Sequence, residues 1–423
     1  MMIRRYFLLA LIALTLTAAK AQERVMTIDE VDSLVTSNNL QLKASLLEVD
    51  AARAQLQQAR KYDNPELQLM HNLQNPVNRK WLDTGREGQT DIQFSQPLAI
   101  GGQHRSRVRQ AQATLNAERA NHNATVTEIR FQTRTTFVDL HNVQQKLRVY
   151  AKEIASVERI HQAYSQQEGK GNVSRMQVFR IGAMLSQLRQ ERAGLQLDAD
   201  NLQQQLILLL NLKDSSPIEA QIDAEAQIAL VADHLVRLQP LADGAGAALM
   251  QSLVEQHPGM AQARYLEESA HHAVRAEKAD ALPRIALNGE WDKNGSIGHN
   301  FFAVGATVSL PLWNRNQGNI RAAKAQHQQA AIETEQRKRQ LQTALQTHYR
   351  ATVCQLRLVE DQRQLAADLD SLILAAEDQV MKRHISVTEF VDLYSSFRET
   401  LFQQEDAKAQ LIKSNEELKK YTR

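Results

Sequence analysis

One cysteine (Cys354), eight prolines and an aromatic content of 5% are spread over 423 residues, and each scarcity closes off a class of protein. A lone cysteine excludes a disulfide framework and any CxxC redox or zinc motif. So few aromatic side chains, beside abundant Gln and Ala, do not fill a thick globular core in a chain of this length. Beyond residue 19 no apolar run approaches the roughly 18 residues that a spanning helix needs. An excess of one charge is missing too: 50 Lys and Arg nearly cancel 48 Asp and Glu, and neither sign forms long blocks. That pattern reads as a solvated, salt-bridged surface and argues against a nucleic-acid binder. Catalytic signatures are absent as well, since there is no HExxH or GxSxG, and GKGNVS from Gly169 lacks the spacing of a phosphate loop. The 13 histidines are dispersed. His271 and His272 are adjacent, so on a helix they point about 100° apart and make a poor chelate with each other. No enzyme, no cofactor and no resident metal is expected.

The N-terminus supplies an address. Arg4 and Arg5 precede an apolar run from Tyr6 to Ala19, and Ala19-Lys20-Ala21 ends at Gln22. This reads as a secretory signal peptide over residues 1–21, with no cysteine nearby to carry a lipid. Secretion without disulfides suits a bacterial envelope protein.

The rest of the chain is written twice. In each copy a polar helix ends near a proline (Pro65, Pro283), two short alternating segments follow, and a second proline appears (Pro97, Pro311). Each copy then enters a very long helix that turns at a tip, GKGNVSRMQV from Gly169 and KRHISVTEFV from Lys382, and returns. The expected division is a first repeat over 22–212, a linker over 213–246 containing Pro217, Pro240, Gly244 and Gly246, and a second repeat over 247–423.

The long helices carry a seam. From Val126 apolar positions step through Ile129, Thr133, Phe137, Leu140, Val143, Leu147, Tyr150, Ile154, Val157, Ile160 and Tyr164. Their mean period is about 3.5, the coiled-coil value. The helix is expected from about Gln103 to Glu168, which at about 1.5 Å per residue spans roughly 100 Å. The second copy repeats the spacing between about Gly318 and Met381, with Leu341, Leu345, His348, Thr352, Leu356 and Val359. Return helices are expected over about Ser174–Asn211 and Ser386–Tyr421, giving hairpins of about 103–211 and 318–421. Opening helices are expected over about Ile28–Tyr62 and Ala247–Leu282. Each is to stack end to end with a return helix, and the linker is to form a belt around the resulting wall.

The alternating segments, about 66–74, 90–97, 284–293 and 301–310, read as strands. Leu67, Leu69 and Leu73 oppose Glu66, Gln68 and Asn72, while Phe302, Val304, Ala306, Val308 and Leu310 oppose Ala303, Gly305, Thr307 and Ser309. Strands of this length, with Trp291 and Trp313 near opposite ends of the second hairpin, match outer-membrane strands with interfacial aromatics. A small soluble sheet with one buried face has the same alternation. Four strands do not close a transmembrane barrel, the smallest of which have about eight, so spanning strands require oligomerisation.

The duplicated order and two junctions, FSQPLAIGGQHRSRVRQAQA from Phe94 and VSLPLWNRNQGNIRAAKAQ from Val308, resemble the TolC family of outer-membrane efflux proteins, in the CzcC-like, cobalt-zinc-cadmium branch. The resemblance covers essentially all of the chain after the signal. It implies a mainly α fold with a membrane β-barrel portion: a homotrimer in which four strands per protomer close a twelve-stranded barrel, continuous with a periplasmic α-helical barrel. It further implies an exit channel in outer-membrane lipid, working with a periplasmic adaptor and an inner-membrane RND pump. In the family each tip docks the adaptor through a Gly, a Ser or Thr three residues on, and often an acid three further. Gly171, Ser174 and Gln177 fill those places in the first copy, and Arg383, Ser386 and Glu389 in the second. Ser174 and Ser386 equally suit helix N-caps. Glu389 and Asp392, three residues apart on one helix face, match the acids of the family's periplasmic aperture. In a trimer they would set six carboxylates around a narrow opening. They also suit the first turn of a helix, where acids favour the dipole. Metal cations are the expected cargo. A drug-efflux or type I secretion conduit, and a soluble periplasmic coiled-coil adaptor, stand as the alternatives.

Overall fold

A computed structural model describes residues 24–241, 246–295, 297–366 and 369–422. The expected signal over 1–21 and Gly244 of the linker lie outside the described residues. In chain order the elements are β1 (Arg24–Thr27), α1 (Ile28–Asn38), α2 (Leu40–Ala59), β2 (Glu66–His71), β3 (Thr90–Leu98), α3 (Gln103–Glu168), α4 (Arg175–Leu210), β4 (Ile218–Gln221) and α5 (Ala224–Arg237). A short 3-10 turn, Gln239–Leu241, precedes α6 (Ala247–Gln256). Then come α7 (Pro258–Asp280), β5 (Arg284–Gly295), β6 (Gly298–Ser309), α8 (Gln317–Ala366), α9 (Leu369–Met381) and α10 (Val387–Thr422).

Both opening helices, expected to be continuous, are broken. Asn39 leaves the helical region (φ −56°, ψ 128°), and its Oδ1 accepts from Leu42 N–H at 3.0 Å, so one side chain ends α1 and caps α2. In the second copy His257 is extended (φ −64°, ψ 131°), as a residue before proline must be, and Pro258 opens α7 at a position that needs no N–H donor. The linker is not bare: its described part holds β4, α5 and the 3-10 turn. Asp223 caps α5 by accepting from Ala226 N–H at 3.1 Å.

The chain divides into two compact units, and each takes segments from both sequence repeats. The first contains the described residues of Met1–Lys43, Thr125–Val254 and Leu341–Arg423. Here β1 pairs in parallel with β4, and Thr27 forms a capping box with Glu30 at the start of α1. Val31 and Val35 of α1, Phe137 and Leu140 of α3, Leu206 and Leu210 of α4 and Ile218 of β4 share one core. Beside it the buried Arg134 is held between Asp32 and Glu416, and Glu416 also binds Lys419 at 2.5 Å. Each charge in this group has a partner, which is what burial demands.

The second unit contains Ala44–Ala124 and Glu255–Gln340. Val49, Ala52 and Leu56 of α2 pack on Leu115 of α3. Its strands form one antiparallel sheet of order β2-β3-β5-β6, so β3 and β5 join the two sequence copies. β2 stops at His71, short of the expected residue 74, and pairing resumes only as an isolated bridge from Gln74 to Trp81. Beyond it the β2–β3 loop is organised around Asp83, which accepts from the side chains of Asn75 and Asn78 and from Gly85 N–H. β5 and β6 extend closer to their turn than expected, to Gly295 and from Gly298.

Candidate functional site

The two tips are built alike, although only one has a glycine. At the first, Gly171 takes φ +75°, its N–H donates to the Glu168 carbonyl at 2.8 Å, and Asn172 N–H donates to Gln167 at 2.9 Å. At the second, Arg383 takes φ +61°, its N–H donates to Val380 at 3.1 Å, and His384 N–H donates to Gln379 at 2.9 Å. These are the paired bonds of a Schellman stop. A left-handed residue with a side chain costs about 1–2 kcal/mol. The Arg383 side chain meanwhile donates to Gln167 Oε1 of the first tip at 3.2 Å.

Three residues after each left-handed position a serine starts the return helix. Ser174 forms a capping box with Gln177, and Ser386 Oγ accepts from Glu389 N–H at 3.1 Å. Behind the tips a dry core joins Val157, Ile160 and Tyr164 of α3 to Ile181 and Leu188 of α4, Val380 of α9 and Phe390 of α10. Tyr164 donates its hydroxyl to the Val380 carbonyl at 2.8 Å, and Arg180 donates to Thr388 Oγ1. The four helices are thus tied by polar contacts that would have to part if the tips separated.

Beyond that core lies a layer of charge. Arg398 of α10 sits 3.5 Å from Glu153 of α3 and 3.6 Å from Glu191 of α4, and over the ring of Tyr150. Tyr150 in turn donates to Glu191 at 3.0 Å. Glu153 is buried, and its pairing with Arg398 is too long to be a strong hydrogen bond. Desolvation therefore outweighs the pairing and pushes its carboxyl up to about 7. Tyr394 donates to Glu377 at 2.8 Å on the same side of α10. Of these residues only Tyr150, a seam position, was singled out from sequence. A signal was present, because Glu153 stands three residues after Tyr150 and four before Val157 and so falls on the seam face of α3.

Glu389 and Asp392 both lie exposed in the first turns of α10. Among the described residues neither carboxylate has a hydrogen-bonded or ion-paired side chain. Asp392 borders a groove of about 310 Å³ whose wall includes Phe179, Arg180, Thr388 and Arg398.

In the sheet, the register collects side chains by chemistry. Leu69, Ile92, Trp291 and Phe302 form one row, and Leu67, Phe94, Gly289 and Val304 the next, all on one face. The opposite face carries the rows Gln68, Gln93, Glu290, Ala303 and Glu66, Ser95, Asn288, Gly305. The apolar face is uncovered: Leu67 is 73% exposed, Phe302 74% and Val304 93%. A small soluble sheet would bury that face, so its packing differs from that alternative. Among the described residues β2 and β6 each have one unpaired edge. Trp291 lies toward the β5–β6 turn, and Trp313 follows the other end of β6 with 88% exposure.

No helix among the described residues is long and apolar enough to cross a membrane.

The sequence model of the family described as outer membrane efflux protein matches residues 33–212 and 249–422. The chain is similar to the cobalt-zinc-cadmium resistance protein CzcC of Cupriavidus metallidurans, 22% identical over 309 residues covering 73% of this chain and 68% of that protein. Among solved structures it resembles the CmeC outer membrane channel of Campylobacter jejuni, with a TM-score of 0.75 and 14% identity over 93% of this chain and 85% of that one. It also resembles CusC, with a TM-score of 0.73 and 15% identity over 92% and 91%. The fold is that of the TolC-like outer membrane channels.

Proposed function

Because the chain belongs to the outer membrane efflux protein family, we propose that it is the passive exit duct of a three-part metal-efflux assembly. It receives heavy-metal cations from an inner-membrane RND pump through a periplasmic adaptor. The observation that carries this reading is the uncovered apolar face of a sheet with two open edges. Unpaired backbone groups are not tolerated in hydrocarbon, so the edges must pair with other copies. Three chains join β6 of one to β2 of the next and close twelve strands, with the apolar rows toward lipid and the polar rows toward a lumen. Trp291 and Trp313 then sit at the two membrane interfaces.

The tips are the adaptor-docking ends, presenting Gly171, Ser174, Gln177, Arg383 and Ser386. Glu389 and Asp392 of three chains ring the periplasmic aperture, where six carboxylates attract cations and repel one another. Repeats over 22–212 and 247–423 account for the paired hairpins, with 213–246 between them. Metal cargo is supported by the similarity to a protein named for cobalt, zinc and cadmium resistance. The duct itself needs no catalytic step, since a pump supplies the energy.

The test is a deletion strain carrying the cognate pump and adaptor. Loss of zinc, cobalt or cadmium tolerance, restored by the full chain, supports the proposal. Unchanged metal tolerance with loss of a secreted polypeptide would replace it with the secretion reading. Release of the protein from membranes by carbonate would remove the channel altogether.

A further inference from the structure

Sequence spacing sets His271 and His272 apart from each other, but the fold brings a third imidazole to them. His327 of α8 faces His271 of α7 with ring centroids 5.3 Å apart. His272 stands against His271 at 5.7 Å, is 8% exposed, and keeps a buried Nδ1 with no hydrogen-bond partner in the structure. Its Nε2 lies 3.7 Å from Glu268.

We infer that His271 and His327 form a labile binding site for a borderline divalent cation of the zinc type, with His272 as a spare imidazole beside it. Two imidazoles on one tetrahedral cation, at metal–nitrogen distances of about 2.0–2.1 Å, hold their ring centroids about 5.2 Å apart. The observed spacing meets that requirement. Ring contact alone covers a wider range, roughly 4.5–7 Å. What distinguishes this pair is its surroundings: the unpartnered Nδ1 of a nine-tenths buried imidazole, a carboxylate, and an opening to solvent at the exposed His271. Imidazole nitrogen selects zinc, cobalt and nickel over the hard cations magnesium and calcium.

The site is built to let go. Among the described residues no group of three His, Cys, Asp or Glu side chains forms a ready metal cage, so the protein supplies two ligands and solvent the others. The groups acting electrostatically at His272 are Glu268, which favours a cation, and His271, Arg275 and Arg109, which oppose one. A transit stop in a conduit must bind strongly enough to enter and weakly enough to leave, and this balance meets both demands. The inference rests on the metal-cargo reading for its purpose, although binding is measured separately from export.

The experiment uses the full chain in detergent, without a polyhistidine tag, and zinc alone competed against a colorimetric chelator. Cobalt substitution reports nitrogen coordination through its absorption bands. Wild type is expected to take up one ion per chain, and His271→Phe with His327→Phe, which keeps ring contact and removes the nitrogens, to weaken uptake more than about tenfold. Equal uptake by the two proteins, or none by wild type, overturns the site. If wild type restores metal tolerance in the deletion strain while zinc uptake is unaffected by the two substitutions, this inference fails and the proposed function stands. If tolerance is not restored, the proposed function fails whatever the binding shows.

Discussion

Raising the pH from about 5 to about 8 should loosen the helix bundle behind the tips, and Glu153→Gln should remove most of that response. Glu153 is 6% exposed, with Arg398 at 3.5 Å as its pairing cation and Glu191 opposing ionisation. Burial lifts its carboxyl from an ordinary 4.5 to about 7, so the bundle prefers it protonated. Below about pH 4.5 the group is protonated whether the bundle is closed or open, and costs nothing. Between there and about 7 only the open form ionises, and stability falls steadily; above about 7 both forms are ionised and the loss is complete. The rise in pKa corresponds to about 3 kcal/mol, roughly two orders of magnitude in the opening equilibrium. A chain of two compact units need not unfold in one step, so local opening is the quantity to follow. Hydrogen exchange of the α10 amides around Tyr394 and Arg398, corrected for the intrinsic pH dependence of exchange, supplies it. Protection in the wild type should fall with pH, and that of Glu153→Gln should stay nearly level. Protection that rises with pH, or an equal response in both proteins, refutes the reasoning.

Ser174→Ala removes the acceptor that holds Gln177 N–H and should cost about 1 kcal/mol, read as faster exchange in the first turn of α4. Val304→Arg places a charge on the most exposed site of the apolar sheet face; at a membrane midplane this costs about 2–4 kcal/mol, so the yield of membrane-assembled oligomer should drop. Gln93→Ala on the opposite face should leave that yield unchanged. Glu389→Ala with Asp392→Ala should enlarge single-channel conductance in planar bilayers and reduce cation selectivity, whereas unchanged events would exclude these acids from the aperture.

Period and alternation made the main elements legible. The seam from Ile129 to Tyr164 lies on one uninterrupted helix, and the alternation at Leu67–Leu69 and Phe302–Val308 lies on paired strands. These signals are local and repeated, so a few conflicting residues do not erase them. The breaks at Asn39 and His257 were not read because each rests on one residue inside a helical pattern. Pro258 was the visible warning, since the residue before proline is driven out of the helical region. The β1–β4 pair was missed for another reason: four-residue strands are too short to show a period, and their partners are nearly 200 positions apart.

The tips show where composition misleads about geometry. The second tip has Arg383 where the family pattern has glycine, yet both turns have a left-handed residue at that place and the same pair of stop bonds. The conformation is fixed by what surrounds it: a serine cap three residues on, the Val387–Phe390 core, and the contact of Arg383 with Gln167. Glycine would relieve the strain of about 1–2 kcal/mol but lose the link to the other tip. The Arg383 side chain thus couples the two tips at some cost in local strain. The same logic explains why Glu153 and Arg398 escaped notice. Their charges look like solvated surface in the sequence, and only the packing of α3, α4 and α10 turns them into a buried, titratable layer.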